Sequence, residues 1–349
     1  MIPVAAFIPL KISLRVHHDS FYYGGLSAIM FKTERDRQGG NKALVLLEGG
    51  RMAMKKVLIW IVVLLLLPIS AFADLQVYFL DVGQGDSTIV VCDGESMIID
   101  GGSLSASDFL YSFIRNTLKL NHMDYMISTH PHEDHVGGLA SVLNAVPVDL
   151  ILTPILEWDS KKFESMKEYA AMQGTPISVP NEGDTLQLGG ATITILHCWP
   201  EARDYSGTND MSIVVRIDYG ETSFIITGDA EMYSEYMMID SDLPLKADVL
   251  RVAHHGSYTA CSQQFIDAVN PTYSVISCGK GNSYGHPHQV VLDKLTHTTL
   301  FRTDLQGTIL CVSDGKNLQF SVERETQEDL FVSPPTIEPA AATETPTIP

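Results

Sequence analysis

A chain of 349 residues, 45% of them hydrophobic, is long enough for one large α/β core or two small ones. Residues 1–73 hold 9 of the 23 basic and 4 of the 42 acidic side chains, which leaves 14 basic against 38 acidic, a net charge of −24, on the remainder. Such a surface repels polyanions at long range and argues against strong binding of duplex DNA; a local patch or metal centre could still handle a single phosphodiester, and the charge equally suits the solubility of an exported protein.

In chain order, the first feature is Met54-Lys55-Lys56, followed by the apolar run from Val57 to Leu67, then Pro68, Ser70 and Ala71-Phe72-Ala73. That is the order of a secretory signal peptide, read as residues 52–73 with cleavage after Ala73. The run is shorter than the roughly 20 apolar residues that cross a bilayer, so no stable membrane span is expected after cleavage. The mature protein is expected in the cell envelope or outside the cell. Residues 1–51 have mixed charge and no clear amphipathic period, and are read as an upstream extension produced by a misassigned start, with Met52 or Met54 as the true start. Glu48-Gly49-Gly50-Arg51 can be encoded by the purine run of a bacterial ribosome-binding site.

From residue 74 the pattern becomes that of strands and helices. Alternating or apolar runs predict strands at Leu75–Leu80, Ser87–Cys92, Ser96–Ile99, Asp124–Ser128 and Asp149–Leu152, and helical spacing predicts helices at Ala106–Leu120, Val136–Ala145 and Lys161–Met172. The second half repeats the theme, with strands at Thr185–Leu188, Ala191–His197, Ser212–Asp218, Ser223–Thr227, Asp248–Ala253 and Tyr273–Ser277. Helices are predicted at Glu231–Ile239, Ser262–Val269 and Gln289–Thr296, and short strands at Thr299–Arg302, Thr308–Val312 and Leu318–Val322, separated by Asp-Leu-Gln-Gly and Ser-Asp-Gly-Lys turns. Two β-rich halves, each with helices, predict a single α/β domain over 74–332 in which two sheets pack face to face with helices outside, rather than one doubly wound sheet. The Pro/Thr/Ala tract 333–349 has no apolar periodicity and is read as a disordered tail. Five widely spaced cysteines, Cys92, Cys198, Cys261, Cys278 and Cys311, contain no CxxC pair; one disulfide is possible outside the cytoplasm, but free thiols buried in strands are the preferred reading.

The chemistry is concentrated at His130-Pro131-His132-Glu133-Asp134-His135, where a predicted strand gives way to a predicted helix. Three imidazoles and a carboxylate within six residues supply the nitrogen and oxygen donors that zinc and similar metals prefer. A polar helix start would explain Asp134 as a cap but not three histidines.

This run resembles the HxHxDH signature of the metallo-β-lactamase superfamily, and its flanks resemble the soluble hydrolase domain of ComEC-type competence proteins. The narrower likeness is carried by Asp81-Val82-Gly83-Gln84-Gly85-Asp86-Ser87, Thr227-Gly228-Asp229-Ala230-Glu231, Ala253-His254-His255-Gly256-Ser257 and Tyr284-Gly285-His286-Pro287-His288, in the family's order over residues 75–313. The resemblance implies an αββα sandwich and a hydrolase holding two divalent ions, zinc or manganese. It implies that His130 and His132 hold the first ion, Asp134 and His135 the second, that Asp229 bridges them and that His255 completes the second site. Asp100 would act from behind the ligands, and Glu231 either does the same or is an acidic residue of the first turn of a helix. The family's further histidine for the first ion is missing, because that segment reads Gly207-Thr208-Asn209-Asp210-Met211; Asn209, Asp210 or solvent must take its place. His197 is an upstream alternative, read as structural. Asp134, His254 and His286 are the candidate catalytic residues, with His254, His286 and Ser257 placed to face a phosphoryl oxygen or leaving group. Gly83 and Gly85 either bring backbone N–H groups to the substrate or serve tight turns.

The function implied is an exported metal-dependent hydrolase acting on a phosphodiester, DNA or another. A teichoic-acid phosphorylcholine esterase is the competing enzyme, since those proteins share the Asp-then-His-His arrangement. A secreted binding module that keeps a metal only for folding is the non-catalytic alternative.

Overall fold

The computed structural model describes residues 74–334, together with the backbone of strands β1 (Ile29–Arg35) and β2 (Asn41–Leu47). These two pair antiparallel, Ile29 opposite Leu47, in a unit separate from the main body. The expected signal peptide at 52–73 and nearly all of the expected tail lie outside the described residues. No helix among the described residues is long and apolar enough to cross a membrane.

The main body holds two sheets. In the first half run β3 (Leu75–Phe79), β4 (Thr88–Cys92), β5 (Glu95–Ile99), β6 (Met123–Ile127), β7 (Val148–Leu152) and β8 (Ile177–Ser178). The second half contributes β9 (Thr185–Leu188), β10 (Ala191–His197), β11 (Val214–Tyr219), β12 (Thr222–Ile226), β13 (Val249–Arg251), β14 (Tyr273–Ile276) and β15 (Thr299–Arg302), and β16 (Ile309–Ser313) and β17 (Leu318–Val322) return to the first sheet. The orders are β17-β16-β3-β4-β5-β6-β7-β8 and β15-β14-β13-β12-β11-β10-β9.

Both sheets change character at one point. Pairing is antiparallel up to β5 in the first sheet and up to β12 in the second, then parallel at β5-β6 and β12-β13 and beyond. In sheets with parallel strands, ligand sites form beyond the carboxyl ends of the strands, where loops carry the functional side chains. The ends of β5, β6, β12 and β13 therefore become the place to look.

Alternation along the strands builds three layers of core. Met97 and Ile99 of β5 face Phe224 and Ile226 of β12 in the core between the sheets, while Ile98 and Ile225, the residues between them, face outward. Ile98 is covered by helices α1 (Ser107–Ser112), α3 (Leu139–Ala145) and α4 (Lys161–Gln173), through Leu110, Leu139, Val142 and Phe163. Ile225 is covered by α5 (Met232–Asp240), α6 (Gln263–Val269) and α7 (Gln289–Lys294), through Met238, Phe265, Ile266 and Val291. This is the expected sandwich of two sheets with helices outside. Burying a side chain such as Ile225 or Phe224 is worth about 1.5–3 kcal/mol, so the layers rest on this alternation.

Local signals set the helix ends. Ser160 Oγ accepts the Phe163 N–H at 3.2 Å at the start of α4, and Gly174 ends it at φ 73°. Ser262 caps α6 in the same way through Phe265 N.

Four expectations are corrected. The helix expected over 136–145 is two pieces, α2 (Glu133–Val136) and α3, because the Gly137-Gly138 backbone is pressed against the 101–104 segment. The helix expected over 106–120 ends in a π turn, Phe113–Thr117, and the Asp-Leu-Gln-Gly turn is a single helical turn, α8 (Thr303–Gln306). All five cysteines are unpaired; four are buried, and of these only Cys92 and Cys311 lie in strands.

Candidate metal centre

The run 130–135 leaves β6 at its carboxyl end and turns into α2, so its side chains point over the end of the sheet. Asp100 follows β5 directly, in a left-handed conformation at φ 59°. Its Oδ1 accepts the Thr129 N–H at 2.8 Å, and its Oδ2 accepts the Thr129 hydroxyl at 2.6 Å and Nδ1 of His135 at 2.7 Å. With Nδ1 committed, His135 turns Nε2 to the cleft. From the second sheet, Asp229 follows β12 and His254-His255 follow β13, both histidines in left-handed conformations. His255 Nδ1 donates to the Ser277 carbonyl at 2.9 Å, which aims its Nε2 at the same point.

There the residues converge on Asp229. Its Oδ2 lies 3.1 Å from His135 Nε2, 3.4 Å from His255 Nε2, 3.7 Å from His254 Nε2 and 4.0 Å from His130 Nε2. Asp134 Oδ2 is 3.3 Å from His255 Nε2, and His130 Nε2 is 3.0 Å from His132 Nδ1. Two sets of donor atoms, from His130, His135 and Asp229 and from Asp134, His135 and His255, each lie within 4.8 Å of one another. Nε2 of His135, Nε2 of His255 and Oδ1 of Asp229 are buried without a hydrogen-bond partner. Native proteins seldom orphan such atoms. Imidazole nitrogens and carboxylate oxygens at this spacing fit a divalent metal.

The electrostatics divide the histidines. Burial, reinforced by the positive neighbour His135, pushes His130 well below the ordinary imidazole range and lowers His132. Burial opposes charge on His135 and His255 too, but Asp229, with Asp100 for His135 and Asp134 for His255, outweighs it. His135 rises well above the ordinary range and His255 to about 9. His130 and His132 would thus offer a lone pair to an ion directly, whereas His135 and His255 would first give up a proton.

The structure brings together every expected metal ligand, His130, His132, Asp134, His135, Asp229 and His255, and Asn209 lines the same cleft. His254 and His286 line it as well, His286 with a buried, partnerless Nδ1 and its backbone fixed at both ends by Asn282. Ser257 does not line it; its hydroxyl lies 2.9 Å from that of Thr259, which in turn bonds His254. Glu231 precedes α5 rather than joining its first turn, and its carboxylate holds His254, Thr259 and Asn209. The Gly83 N–H faces Asp81 Oδ1 at 3.3 Å, and a Cβ on Gly85 would meet the Asp134 carbonyl at 2.5 Å, so Gly85 serves the close approach of two loops. His197 has both ring nitrogens engaged, by Glu182 and by the Asp210 carbonyl, and stands as a structural residue.

Several contributors escape the sequence reading. Gln84, Glu133 and Tyr284 line the cleft. Ser212 Oγ, 3.3 Å from His130 Nδ1, accepts the Asp229 N–H at 3.1 Å. Arg251 and Asp86, both fully buried, pair at 2.9 Å behind the metal ligands. A lone arginine in the apolar run Val249-Leu250-Arg251-Val252 is the signal that could have found that pair.

Comparison with known proteins agrees with this geometry. Residues 80–280 match the family model of the metallo-β-lactamase superfamily. The chain is 33% identical over 253 residues to ComE operon protein 3 of Bacillus subtilis, covering 67% of this chain and 32% of that protein. It is 28% identical over 232 residues to competence protein ComA of Neisseria gonorrhoeae, covering 66% of this chain and 31% of that protein. It thus spans about a third of the length of these relatives. Among solved structures, the metallo-β-lactamase fold protein YhfI of Bacillus subtilis is similar with a TM-score of 0.46 at 14% identity, over 71% of this chain and 100% of that one.

Proposed function

The chain belongs to the metallo-β-lactamase superfamily, and on that premise we propose that it is an exported phosphodiesterase that uses two divalent ions, zinc or manganese. The observation that carries the reading is the convergence of four imidazole Nε2 atoms on Asp229 Oδ2, within 3.1–4.0 Å. Ions bound there supply Lewis-acid polarisation and lower the pKa of a water.

The protein's own residues supply the rest. Asp134, His135, His255 and Asp229 would hold one ion, and His130 and His132, with Asp229, the other. Burial and the neighbouring His255 and His254 lower the His286 pKa to about 3, so His286 acts as a neutral hydrogen-bonding group toward a phosphoryl or leaving oxygen. His254, fixed by Glu231, presents Nε2 to the same space. Export rests on the sequence pattern of residues 52–73.

Two phosphodiester classes follow from different observations. The likeness to a competence protein favours single-stranded DNA. The absence of any lysine or arginine among the cleft-lining residues favours a diester with a neutral or cationic leaving group, as in teichoic-acid phosphorylcholine. Hydrolysis of bis-p-nitrophenyl phosphate with added manganese or zinc is expected from the parent protein and not from His132→Ala. Equal background rates from both would remove the enzyme reading, and phosphorylcholine release set against cleavage of single-stranded DNA separates the two classes.

A further inference from the structure

Glu231 gathers three hydrogen bonds on one oxygen. Its Oε1 accepts from Nδ1 of His254 at 3.0 Å, from the Thr259 hydroxyl at 2.7 Å and from Nδ2 of Asn209 at 3.1 Å. A carboxylate only accepts, so each partner must turn a hydrogen toward it. For Asn209 this settles which end of the amide is which: the NH2 faces Glu231 and Oδ1 faces away. For His254 it fixes Nδ1 as a nitrogen that carries a hydrogen, which leaves Nε2 as the one that can ligate.

Both residues border the metal cleft. Asn209 Oδ1 is buried without a hydrogen-bond partner, and His254 Nε2 lies 3.7 Å from Asp229 Oδ2. Both residues line the cleft beside His132. The turn Asn209–Met211 also reaches the first metal position from the other side. Ser212, whose N–H closes the turn on the Asn209 carbonyl at 3.0 Å, places Oγ 3.3 Å from His130 Nδ1. The turn that lacks the family's histidine is therefore anchored to His130 at one end and to Glu231 at the other.

We propose that Glu231 is the positioning residue of the first metal position: by taking both hydrogens it turns the Asn209 amide oxygen and the His254 imidazole nitrogen toward the ion held by His130 and His132. This inference rests on the two-metal reading. It gives the first position three imidazoles, His130, His132 and His254, and one amide oxygen more than a three-histidine site, a set that suits manganese as well as zinc. The carboxylate of Glu231 bonds His254, Thr259 and Asn209 and not Asp134, His135 or His255, so its loss reaches the second position only through the shared Asp229.

The test is metal binding to the chelator-stripped protein, followed by calorimetric titration with Mn²⁺ and by the electron paramagnetic resonance of bound Mn²⁺. The parent is expected to take up two ions and to show the spectrum of a coupled pair. Glu231→Ala should keep one ion at parental affinity, bind the other about 30-fold more weakly, and show an isolated-ion spectrum. Glu231→Asp, which can still accept, should recover most of the loss. Asn209→His should raise the zinc preference of the weaker position. Two ions bound by Glu231→Ala as tightly as by the parent would overturn the proposal. So would a stripped Glu231→Ala protein that melts far below the parent and loses both ions, since that marks a purely structural residue. If the parent itself binds one ion, the two-metal reading fails and the proposal with it, a result read from the parent alone.

Discussion

Asp100 Oδ2 and His135 Nδ1 are joined by a 2.7 Å hydrogen bond between two fully buried side chains, and this contact decides which nitrogen His135 offers to a metal. Asp100→Asn is nearly isosteric, and asparagine tolerates the left-handed backbone at φ 59°. Yet an amide NH2 facing His135 would force the proton onto Nε2, the atom that must ligate. Metal affinity is expected to fall about 10–100-fold, measured by competition with a chelator. Asp100→Ala should add a stability loss of about 1–3 kcal/mol, because it strands the buried Thr129 N–H.

Two glycines that look alike in sequence should behave differently on substitution. A Cβ on Gly138 would stand 2.1 Å from the Gly101 carbonyl oxygen, so the main chain of one segment must move; one on Gly83 would meet nothing within 4 Å. Gly138→Ala is expected to cost about 3 kcal/mol or more by overpacking. Gly83→Ala carries only the strain of a side chain at φ 75°, about 1–2 kcal/mol. Urea denaturation of the two variants provides the comparison, and similar losses would contradict it.

The sandwich and most of the site were legible because they depend on short-range pattern. Unbroken apolar runs such as Met97-Ile98-Ile99 and Phe224-Ile225-Ile226 announce strands with two covered faces, and the run 130–135 compresses four metal donors into six residues. What escaped is what long-range packing decides. Nothing near Gly137 and Gly138 reveals that they lie against residues 101–104, so the break between α2 and α3 is invisible in one dimension. Glu231 reads as an ordinary acidic residue at a helix start until His254, Thr259 and Asn209 are folded onto it.

Glu182 gives the acid limb of stability a specific contributor. The hydrogen bond from His197, 2.9 Å away, outweighs burial and lowers the Glu182 pKa from its ordinary 4.5. A carboxyl with a depressed folded-state pKa stabilises the fold above its unfolded pKa, and that stabilisation is lost as pH falls through the folded value. Parent and Glu182→Gln should therefore differ near neutral pH and converge in acid. Because the Glu182 side chain is 41% exposed, solvent screening keeps the difference under about 1 kcal/mol. Melting temperatures across the acid range would show the convergence; a gap that widened toward low pH would reverse the sign.

The Asp86–Arg251 pair predicts the largest single loss outside the metal ligands. Arg251 Nη2 meets Asp86 Oδ2 at 2.9 Å with both side chains fully buried, while Nη1 donates to the Gly228 carbonyl just before Asp229. Asp86 in turn donates its backbone N–H to the Asp134 carbonyl at 3.1 Å and accepts that of Gly102 at 2.7 Å. The pair thus ties a loop of the first sheet, beside one metal ligand, to the end of β13, beside two others. Arg251→Met leaves a buried carboxylate without its guanidinium partner and should cost about 3–5 kcal/mol. Removing both charges in Asp86→Asn with Arg251→Met should cost less than the sum of the single changes, because neither partner is then left behind. A double-mutant cycle on the metal-stripped protein measures this without interference from bound ions. Additive losses would mean that the two side chains contribute separately, through packing and through the Gly228 hydrogen bond, and that their ion pair does not couple the sheets.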